Sequence, residues 1–192
     1  MKNTKPELRF AGFTDDWEQH KFSEVANRTS NSCKNIELPR VEYEDINAEL
    51  GTLNKDLKEK KSTKVGLLFE PEDVLFGKLR PYLKNWLLPN FRGIAVGDWW
   101  ILHSDITDSQ FLYYLIQTDS YMSAANLSAG SKMPRSDWNL VSNTIFTVPS
   151  DKIEQQRIGT FFRTLDSAIT LHQREVEKLT KLKKALLSKM FI

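Results

Sequence analysis

The sequence predicts an α+β domain with a twisted, mostly antiparallel sheet and flanking helices, followed by one long C-terminal coiled-coil helix. Runs rich in β-branched and aromatic residues, separated by Pro and Gly, predict strands in residues 65–80, 93–102 and 144–149. A segment with apolar residues at helical spacing lies between the second and the third of these runs. Residues 151–192 keep a heptad pattern of apolar side chains, which predicts the long helix.

The composition is typical of a folded globular protein. Of the 192 residues, 40% are hydrophobic and 27% are charged, which argues against a disordered chain. No apolar run approaches the roughly 20 residues of a membrane span, and residues 1–10 lack the apolar core of a signal peptide. The single Cys33 cannot build a disulfide framework. We therefore expect a cytoplasmic protein with no membrane partner.

The charge is distributed unevenly along the chain. Residues 151–192 contain nine Lys/Arg and five Asp/Glu, a balance of +4. The whole chain has 27 Lys/Arg and 25 Asp/Glu. Residues 1–150 therefore have 18 Lys/Arg and 20 Asp/Glu, a balance of −2. A globular part with this balance has no general basic surface for nucleic acid. Any DNA contact must therefore come from local basic patches.

The middle of the chain predicts short elements and one helix. Residues 30–64 are the most polar stretch, which predicts loops and short strands. Thr107 and Gln110 form a capping-box pattern, which predicts a helix from about residue 108 to the mid-120s. The apolar face of that helix would consist of Phe111, Leu112, Leu115 and Ile116.

The boundary between the globular part and the long helix is predicted near residue 150. Pro149 ends the last strand, and Asp151 with Glu154 forms a second capping-box-like start. We therefore expect a globular domain in residues 1–150 and a long helix in residues 151–192.

The long helix has an apolar stripe that needs a partner. Its positions alternate at steps of four and three: Ile158, Phe162, Leu165, Ile169, His172, Val176, Leu179, Lys183, Leu186 and Met190. A helix of this length measures about 55 Å, whereas a domain of 150 residues is about 30 Å across. The stripe therefore predicts packing on a partner helix, with packing on its own domain as the alternative. The polar His172 and Lys183 either fix the register of the pair or lie at its edge in water.

The sequence gives little support to an enzyme. The three histidines, His20, His103 and His172, lack metal-ligand spacing, and there is no Walker or GxGxxG phosphate loop. Asp45 followed by Glu59-Lys60-Lys61 is a pattern that some metal-dependent nucleases use. This stretch is rich in charge, so a match by chance is expected, and we prefer a solvated charged loop.

Two basic segments are candidates for DNA contact. In the first, Lys78, Arg80 and Lys84 alternate with aromatic residues, and Lys78 and Arg80 would share one face of a strand. In the second, Ser131, Lys132 and Arg135 lie in a loop with Gly and Pro. Arg suits guanine or phosphate, and Lys suits the DNA backbone. A basic strand face in water and a plain surface turn are the alternatives.

Three segments resemble the specificity subunit of type I restriction–modification enzymes. They are "PELRFAGFTDDWEQHKFSEV", "VLFGKLRPYLKNW" and the helix that opens with "EQQRIGTFF" and continues with "LD". The resemblance follows the chain in order over nearly its whole length, and the helix is its most specific part. Residues 27–70 are not diagnostic.

The resemblance implies a non-catalytic subunit that reads double-stranded DNA. In that family a full-length chain has two target recognition domains, each followed by a long helix, and the helices pack antiparallel and space two half-sites. S-adenosylmethionine and ATP are then expected on partner modification and restriction subunits, with no cofactor on this chain. This sequence has one such domain and one helix, so it is a natural half-length subunit, a truncated copy or a fragment. The starting Met and the intact helix favour a half-length gene product.

The partner helix would then come from a second copy of this chain, giving a homodimer, or from another specificity chain. The alternative to DNA reading is a coiled-coil scaffold whose globular part binds protein, which the −2 balance of residues 1–150 keeps open.

Overall fold

A computed structural model describes residues 5–57, 63–127 and 132–191 of the chain. The chain divides into two compact units, Met1–Gly159 and Thr160–Ile192, and each is described by itself. No helix in the described ranges combines the length and the apolar character that crossing a lipid bilayer requires.

The first unit contains short strands that the polar and apolar runs of the sequence predict. Within the described residues they are β1 Glu18–Lys21, β2 Asn27–Thr29, β3 Ser32–Cys33, β4 Arg40–Val41, β5 Ile46–Asn47, β6 Thr52–Leu53, β7 Gly66–Phe69, β8 Val74–Gly77, β9 Trp86–Leu87, β10 Gly93–Ala95, β11 Trp99–His103 and β12 Ile145–Val148. The expected strands in 65–80, 93–102 and 144–149 are confirmed, as are the short strands in 30–64.

The helices of the first unit are short, apart from the one that leaves it. They are α1 Phe22–Val25, α2 Ser109–Leu115, α3 Asp119–Ala125 and α4 Trp138–Asn143, with 3-10 turns at Tyr43–Asp45 and Pro81–Leu83. The long helix α5, Lys152–Met190, begins in the first unit and makes up nearly all of the second.

The strands form several small sheets instead of the single sheet expected. Two sheets have four strands, in the orders β2-β11-β8-β9 and β3-β7-β10-β4, and the pairs β1-β12 and β5-β6 stand alone. All pairings are antiparallel except that of β10 with β4. The α+β class and the mostly antiparallel pairing are confirmed.

The central strands β8 and β11 of the sheet β2-β11-β8-β9 are buried on both faces. In β8 and β11, Phe76 and Trp100 point into a core that the helices cover. Their neighbours Leu75 and Trp99 point the other way, into a second core shared with the other four-stranded sheet. Because side chains alternate along a strand, a strand buried on both faces must be apolar at every position. This explains the unbroken apolar runs that predicted β8 and β11.

The central helical segment is two helices, and the prediction of Thr107 as its cap is wrong. Asp108 caps α2, since its side chain accepts the N–H of Phe111 at 3.0 Å. The hydroxyl of Thr107 instead donates to the carbonyl of Val25 at 2.9 Å. Thr118 then caps α3, because its hydroxyl oxygen accepts the N–H of Tyr121. A second cap within the segment ends the first helix, which periodicity alone did not indicate.

Of the two residues predicted to form a capping box at the start of α5, one caps the helix. Asp151 caps it, since its carboxylate accepts the N–H of Ile153 at 2.7 Å. The second half of the predicted capping box is wrong, because Glu154 turns into the first unit and is only 1% exposed. Its carboxylate accepts two N–H groups of Arg9 at 2.7 and 2.8 Å and the indole N–H of Trp17 at 3.2 Å. The hydrogen bonds to Glu154 raise the pKa of Arg9 above its ordinary value, and the negative charge of Glu154 adds a smaller increase.

Two further residues hold the start of α5 against α2. The buried Gln155 accepts the N–H of Asp108 and donates to the carbonyl of Pro149, both at 2.8 Å. Gly159 lies against the first turn of α2, where an added Cβ would be 2.7 Å from the Cβ of Gln110 and 3.0 Å from the N of Phe111. The glycine therefore sets how closely the two helices approach.

We predict that Gly159→Ala destabilises the first unit. In an exposed helix the same change gains up to about 1 kcal/mol of helix propensity. Here the added methyl meets Gln110 and the backbone of Phe111 below contact distance, so the helices must separate. Urea denaturation should show an unfolding free energy lower by about 1–3 kcal/mol. Thr160→Ala, at the exposed next position, is the matched control. A gain in stability for Gly159→Ala would contradict this packing.

Candidate nucleic-acid interface

The register of β8 and β11 brings the first basic segment beside an aspartate. Gly77, the last residue of β8, pairs with Trp99, the first residue of β11. The next residues outward are Lys78 and Asp98, and the N–H of Lys78 donates to the carbonyl of Asp98 at 2.9 Å. The antiparallel ladder therefore continues one residue past the strands and places a cation next to a carboxylate.

The second basic segment joins the first through main-chain bonds. Leu79 and Arg135 form an antiparallel bridge. The N–H of Arg80 donates to the carbonyl of Pro134 at 2.8 Å, and the N–H of Ser136 donates to the carbonyl of Lys78 at 2.9 Å. We call residues 78–84 and 132–136 the joined loops. Two segments that the sequence offered as separate patches therefore form one surface.

Most cations of the joined loops face carboxylates. Arg135 donates to one carboxylate oxygen of Asp98 through Nε at 3.2 Å and Nη2 at 3.0 Å. The Nζ of Lys78 lies 3.7 Å from the other oxygen of Asp98. The Nζ of Lys84 lies 3.1 Å from a carboxylate oxygen of Glu49. These pairs lower the net positive charge of the surface and hold the cations in place.

The remaining predicted contacts of the second segment are only partly described. Lys132 is exposed at the surface. Ser131, with Gly130, lies outside the described residues.

Arg80 is not on a strand, which corrects the prediction that Lys78 and Arg80 share a strand face. β8 ends at Gly77, and Arg80 has a φ of 50°, in the left-handed region. Lys84, at the other end of the 3-10 turn Pro81–Leu83, has a φ of 54°. The main-chain bond from Arg80 to Pro134 and the turn between the two cations hold this backbone. Left-handed residues other than Gly cost about 1–3 kcal/mol each and concentrate at binding sites.

A tyrosine that the sequence did not single out holds the joined loops to the sheet. The hydroxyl of Tyr43 donates to the carbonyl of Asp98 and accepts the N–H of Leu79. Its ring packs edge-on against Trp99, with centroids 4.5 Å apart. Burial raises the pKa of the phenol above its ordinary value, so it remains a donor. The only signal in the sequence near this contact is the Gly-Asp pair before two tryptophans, which is typical of a turn.

Two polar atoms at the loop junction are buried without a hydrogen-bond partner among the described residues. They are Nε of Arg80 and Oγ of Ser136. Beside them the surface exposes Tyr82, Leu83 and Met133.

Asp45, the one residue of the nuclease hypothesis that the structure describes, has a structural role. Asp45 is fully buried, accepts the N–H of Glu42 at 2.8 Å and pairs with Lys55 at 2.7 Å. It therefore stabilises the turn that carries Tyr43. Glu59, with Lys60 and Lys61, lies outside the described residues. Among the described residues no group of three or more His, Cys, Asp or Glu side chains is arranged to hold a metal ion.

A polar cleft of about 320 Å³ lies elsewhere on the first unit. Its lining mixes acidic and basic groups, with Glu72 and Asp108 near His103 and Lys152. The ring of His103 contacts the carboxylate of Asp73 at 2.9 Å, and this hydrogen bond raises the pKa of the imidazole. The aspartate already balances the histidine, so this cleft lacks the excess charge that would attract an anion such as DNA.

The second unit carries the predicted stripe, whose apolar members from residue 160 onward are more than 40% exposed. They are Phe162, Leu165, Ile169, Val176, Leu179, Leu186 and Met190. The polar positions His172 and Lys183 are also exposed, and Leu171 and Leu182 beside them are exposed leucines that the heptad count did not include. The first member, Ile158, belongs to the first unit and packs against its core.

The fold of the chain is similar to that of type I specificity subunits. The HsdS subunit from Thermoanaerobacter tengcongensis matches with a TM-score of 0.63 and 21% identity, over 96% of this chain and 49% of that chain. The S subunit of a type I restriction-modification system from M. genitalium matches with a TM-score of 0.62 and 14% identity, over 97% and 48%. A chain in a structure of the type I R-M system, described for its complex assembly and conformational transition, matches with a TM-score of 0.65 and 18% identity. This match covers 97% of this chain and 50% of that chain.

These matches establish the fold of the chain. No protein-family model and no curated protein sequence matches it. The resemblance to specificity subunits, drawn first from three sequence segments, is therefore confirmed at the level of the fold. The chain spans about half the length of the solved structures that it matches.

We predict that Tyr43→Phe destabilises the first unit and loosens the joined loops. The change removes the acceptor of the Leu79 N–H and one of the two donors to the carbonyl of Asp98, which costs about 1–3 kcal/mol. The matched control is Tyr121→Phe, because the fully buried hydroxyl of Tyr121 has no hydrogen-bond partner among the described residues. That control should leave the stability unchanged or raise it by up to about 1 kcal/mol. Equal losses in chemical denaturation of the two variants would contradict the role of Tyr43.

Proposed function

We propose that this chain is a DNA sequence-specificity subunit of a type I restriction–modification enzyme. Residues of the first unit would read a half-site of a bipartite target, and the chain would dock modification subunits. The observation that carries the proposal is the likeness to HsdS and S subunits over 96–97% of the chain. The joined loops support it, because they place cations from two segments on one surface.

The proposed role is non-catalytic. The methyl donor S-adenosylmethionine and ATP would be bound by the partner modification and restriction subunits, and this chain would need no cofactor of its own. Asp45, the one carboxylate of the nuclease pattern that the structure describes, is buried and paired, so its chemistry supports a structural role.

DNA would lie against the joined loops. Lys84 and Lys132 are the exposed cations suited to phosphate oxygens. Arg80 and Arg135 suit base edges or phosphate, since a guanidinium donates in a fixed planar fork. Lys78 and Ser131 complete the set expected from the sequence. Tyr82, which is more than half exposed, adds an aromatic face to this surface.

A protein-binding scaffold is the second candidate. The specific observation in its favour is the pairing of Lys78, Arg135 and Lys84 with carboxylates, which fits the −2 charge balance of residues 1–150. Such a protein would bind duplex DNA weakly, with little dependence on salt.

Two copies of the chain would form the working unit. The chain spans about half of the solved subunits, and its second unit exposes an apolar stripe with polar residues at two positions. A homodimer through these stripes would present two identical recognition units, so its DNA target would be an inverted repeat with a spacer. Pairing with another specificity chain is the alternative outcome, and it would give an asymmetric target.

We predict that removal of the loop cations weakens DNA binding without unfolding the protein. Arg80→Gly and Lys84→Gly are the sharpest changes, because the cationic side chain is removed while Gly accepts the left-handed backbone. Combined with Lys132→Ala, they should lower the slope of log affinity against log salt by about 1 for each phosphate that these side chains neutralise. Arg92→Gln, which breaks a pair with Glu70 on another loop, is the control.

This experiment uses titration of the full chain, with its modification subunit, onto duplex DNA at several salt concentrations. Mapping of methylated bases in cells that carry both subunits identifies the target itself. Unchanged affinity and salt slope in the triple variant would reject the joined loops as the DNA surface. Wild-type binding that is weak and insensitive to salt would favour the scaffold.

We predict a dimer that depends on the exposed stripe. Light scattering of the wild-type chain at micromolar concentration should give twice the mass of the 22.3 kDa chain. Ile169→Glu combined with Val176→Glu should yield monomers, because each buries a charge in the apolar seam. Lys181→Glu, on the far face at about 100° per residue, should leave the dimer intact. A wild-type monomer under these conditions would reject self-pairing.

A further inference from the structure

We infer that Asp98 determines specificity by restraining the two cations nearest to it. Its carboxylate positions Arg135 and Lys78 and limits their binding to phosphate, so that DNA is bound by sequence more than by charge. This inference rests on the proposed DNA-reading function and adds a residue that reasoning from the sequence did not select. Asp98 is a positioning residue in this account, since it acts through the two cations.

The geometry gives Asp98 two partners at once. One carboxylate oxygen accepts both Nε and Nη2 of Arg135, at 3.2 and 3.0 Å, and the other lies 3.7 Å from Nζ of Lys78. The two cations come from different segments, so a single carboxylate bridges both of the joined loops. A bridge of this kind restricts two long side chains that would otherwise sample many rotamers.

The position of Asp98 is itself restrained by its main chain. Its carbonyl accepts the hydroxyl of Tyr43 and the N–H of Lys78. It precedes the buried β11 and follows Gly97, whose φ of 112° turns the chain into the strand. The side chain is 30% exposed, as is that of Lys78. Exposed ion pairs contribute little because both side chains must be ordered, but here the backbone of the acid is already ordered.

The charge balance predicts the effect on DNA binding. Two cations and one carboxylate leave a net charge of +1, and a DNA phosphate must compete with Asp98 for the same donors. Non-specific affinity rises with the number of phosphates that a protein neutralises. By competing for these donors, Asp98 therefore weakens binding to phosphates. Binding to the target sequence is weakened less, because contacts to bases depend on how the donors are oriented.

Lys84 and Glu49 provide a contrast on the same surface. Their side chains are 43% and 64% exposed, and each residue has a positive φ in a turn. The carboxylate of this pair is more exposed than that of Asp98, at 64% against 30%, and it contacts one cation of the loops instead of two, so the pair yields more easily to a phosphate. The surface thus combines one restrained group of cations around Asp98 with a loosely paired cation at Lys84.

The test is Asp98→Asn in the full chain, which removes the charge and keeps the size and the main-chain bonds. A duplex library of random sequence is the probe, with bound sequences counted and total binding titrated against salt. We expect tighter binding to the unselected library and a salt slope steeper by about 1–2. Enrichment of the wild-type target over other sequences should fall about tenfold, the scale of one base contact. Asp105→Asn, whose exposed carboxylate pairs with His103, is the control for charge alone.

The outcomes separate the two proposals. If the wild-type chain enriches a target and Asp98→Asn retains both its enrichment and its salt slope, the inference about Asp98 is wrong and the proposed function stands. If the wild-type chain binds the library without enrichment or salt dependence, the proposed function fails, and the role of Asp98 fails with it. If Asp105→Asn changed the salt slope and the enrichment as much as Asp98→Asn does, net charge alone would explain the effect. That result would also overturn the inference.

A double variant keeps the test decisive if Asp98→Asn lowers stability. Arg135→Gln removes the main partner of Asp98, and Asp98→Asn/Arg135→Gln removes the pair. If Asp98 acts by restraining Arg135, adding Arg135→Gln to Asp98→Asn should remove most of the gain in non-specific binding. If the double variant retains the full gain, the restraint on Arg135 is not the cause. Circular dichroism and thermal unfolding confirm that each variant is folded.

Discussion

The antiparallel pairing of β8 with β11 is the constraint on which the rest of the first unit depends. Both strands are buried on both faces, so a slip of one residue would exchange the two cores and bury each side chain on the wrong side. The register that the cores enforce also decides what lies at the end of the ladder. There Lys78 meets Asp98, and the hydroxyl of Tyr43 closes the junction. Packing inside the protein thereby determines the geometry of a polar surface outside it.

The sequence predicts local features well and long-range ones poorly. The apolar runs of β8 and β11, the basic residues and the heptad stripe follow from composition and spacing. The left-handed backbone of Arg80 does not, because its cause is a bond to Pro134 in a segment far along the chain. Asp98 and Tyr43 were missed for the same reason, since neither residue has a local pattern that marks its partner. Thr107 matched a capping pattern, but Asp108 beside it is the better acceptor for the helix N–H groups.

The opening of the long helix shows how one short motif serves several contacts. Glu154 accepts hydrogen bonds from Arg9 and Trp17 of the N-terminal segment. Gln155 accepts the N–H of Asp108 and donates to the carbonyl of Pro149. Gly159 allows the close approach to α2. The heptad pattern does not indicate these contacts. Glu154 and Gln155 are nevertheless buried polar residues, and each has hydrogen-bond partners in the first unit. The motif that resembles specificity subunits most closely is therefore the one that fastens the helix to its own domain.

The joined loops are connected through main-chain atoms, at Leu79 with Arg135, Arg80 with Pro134, and Lys78 with Ser136. A main-chain bond does not depend on which side chain its residue carries. Outward-facing side chains of both loops can therefore be exchanged without loss of the bonds that join the loops. Under the proposed function, substitution at a few surface positions of these loops would change the DNA target with no new fold.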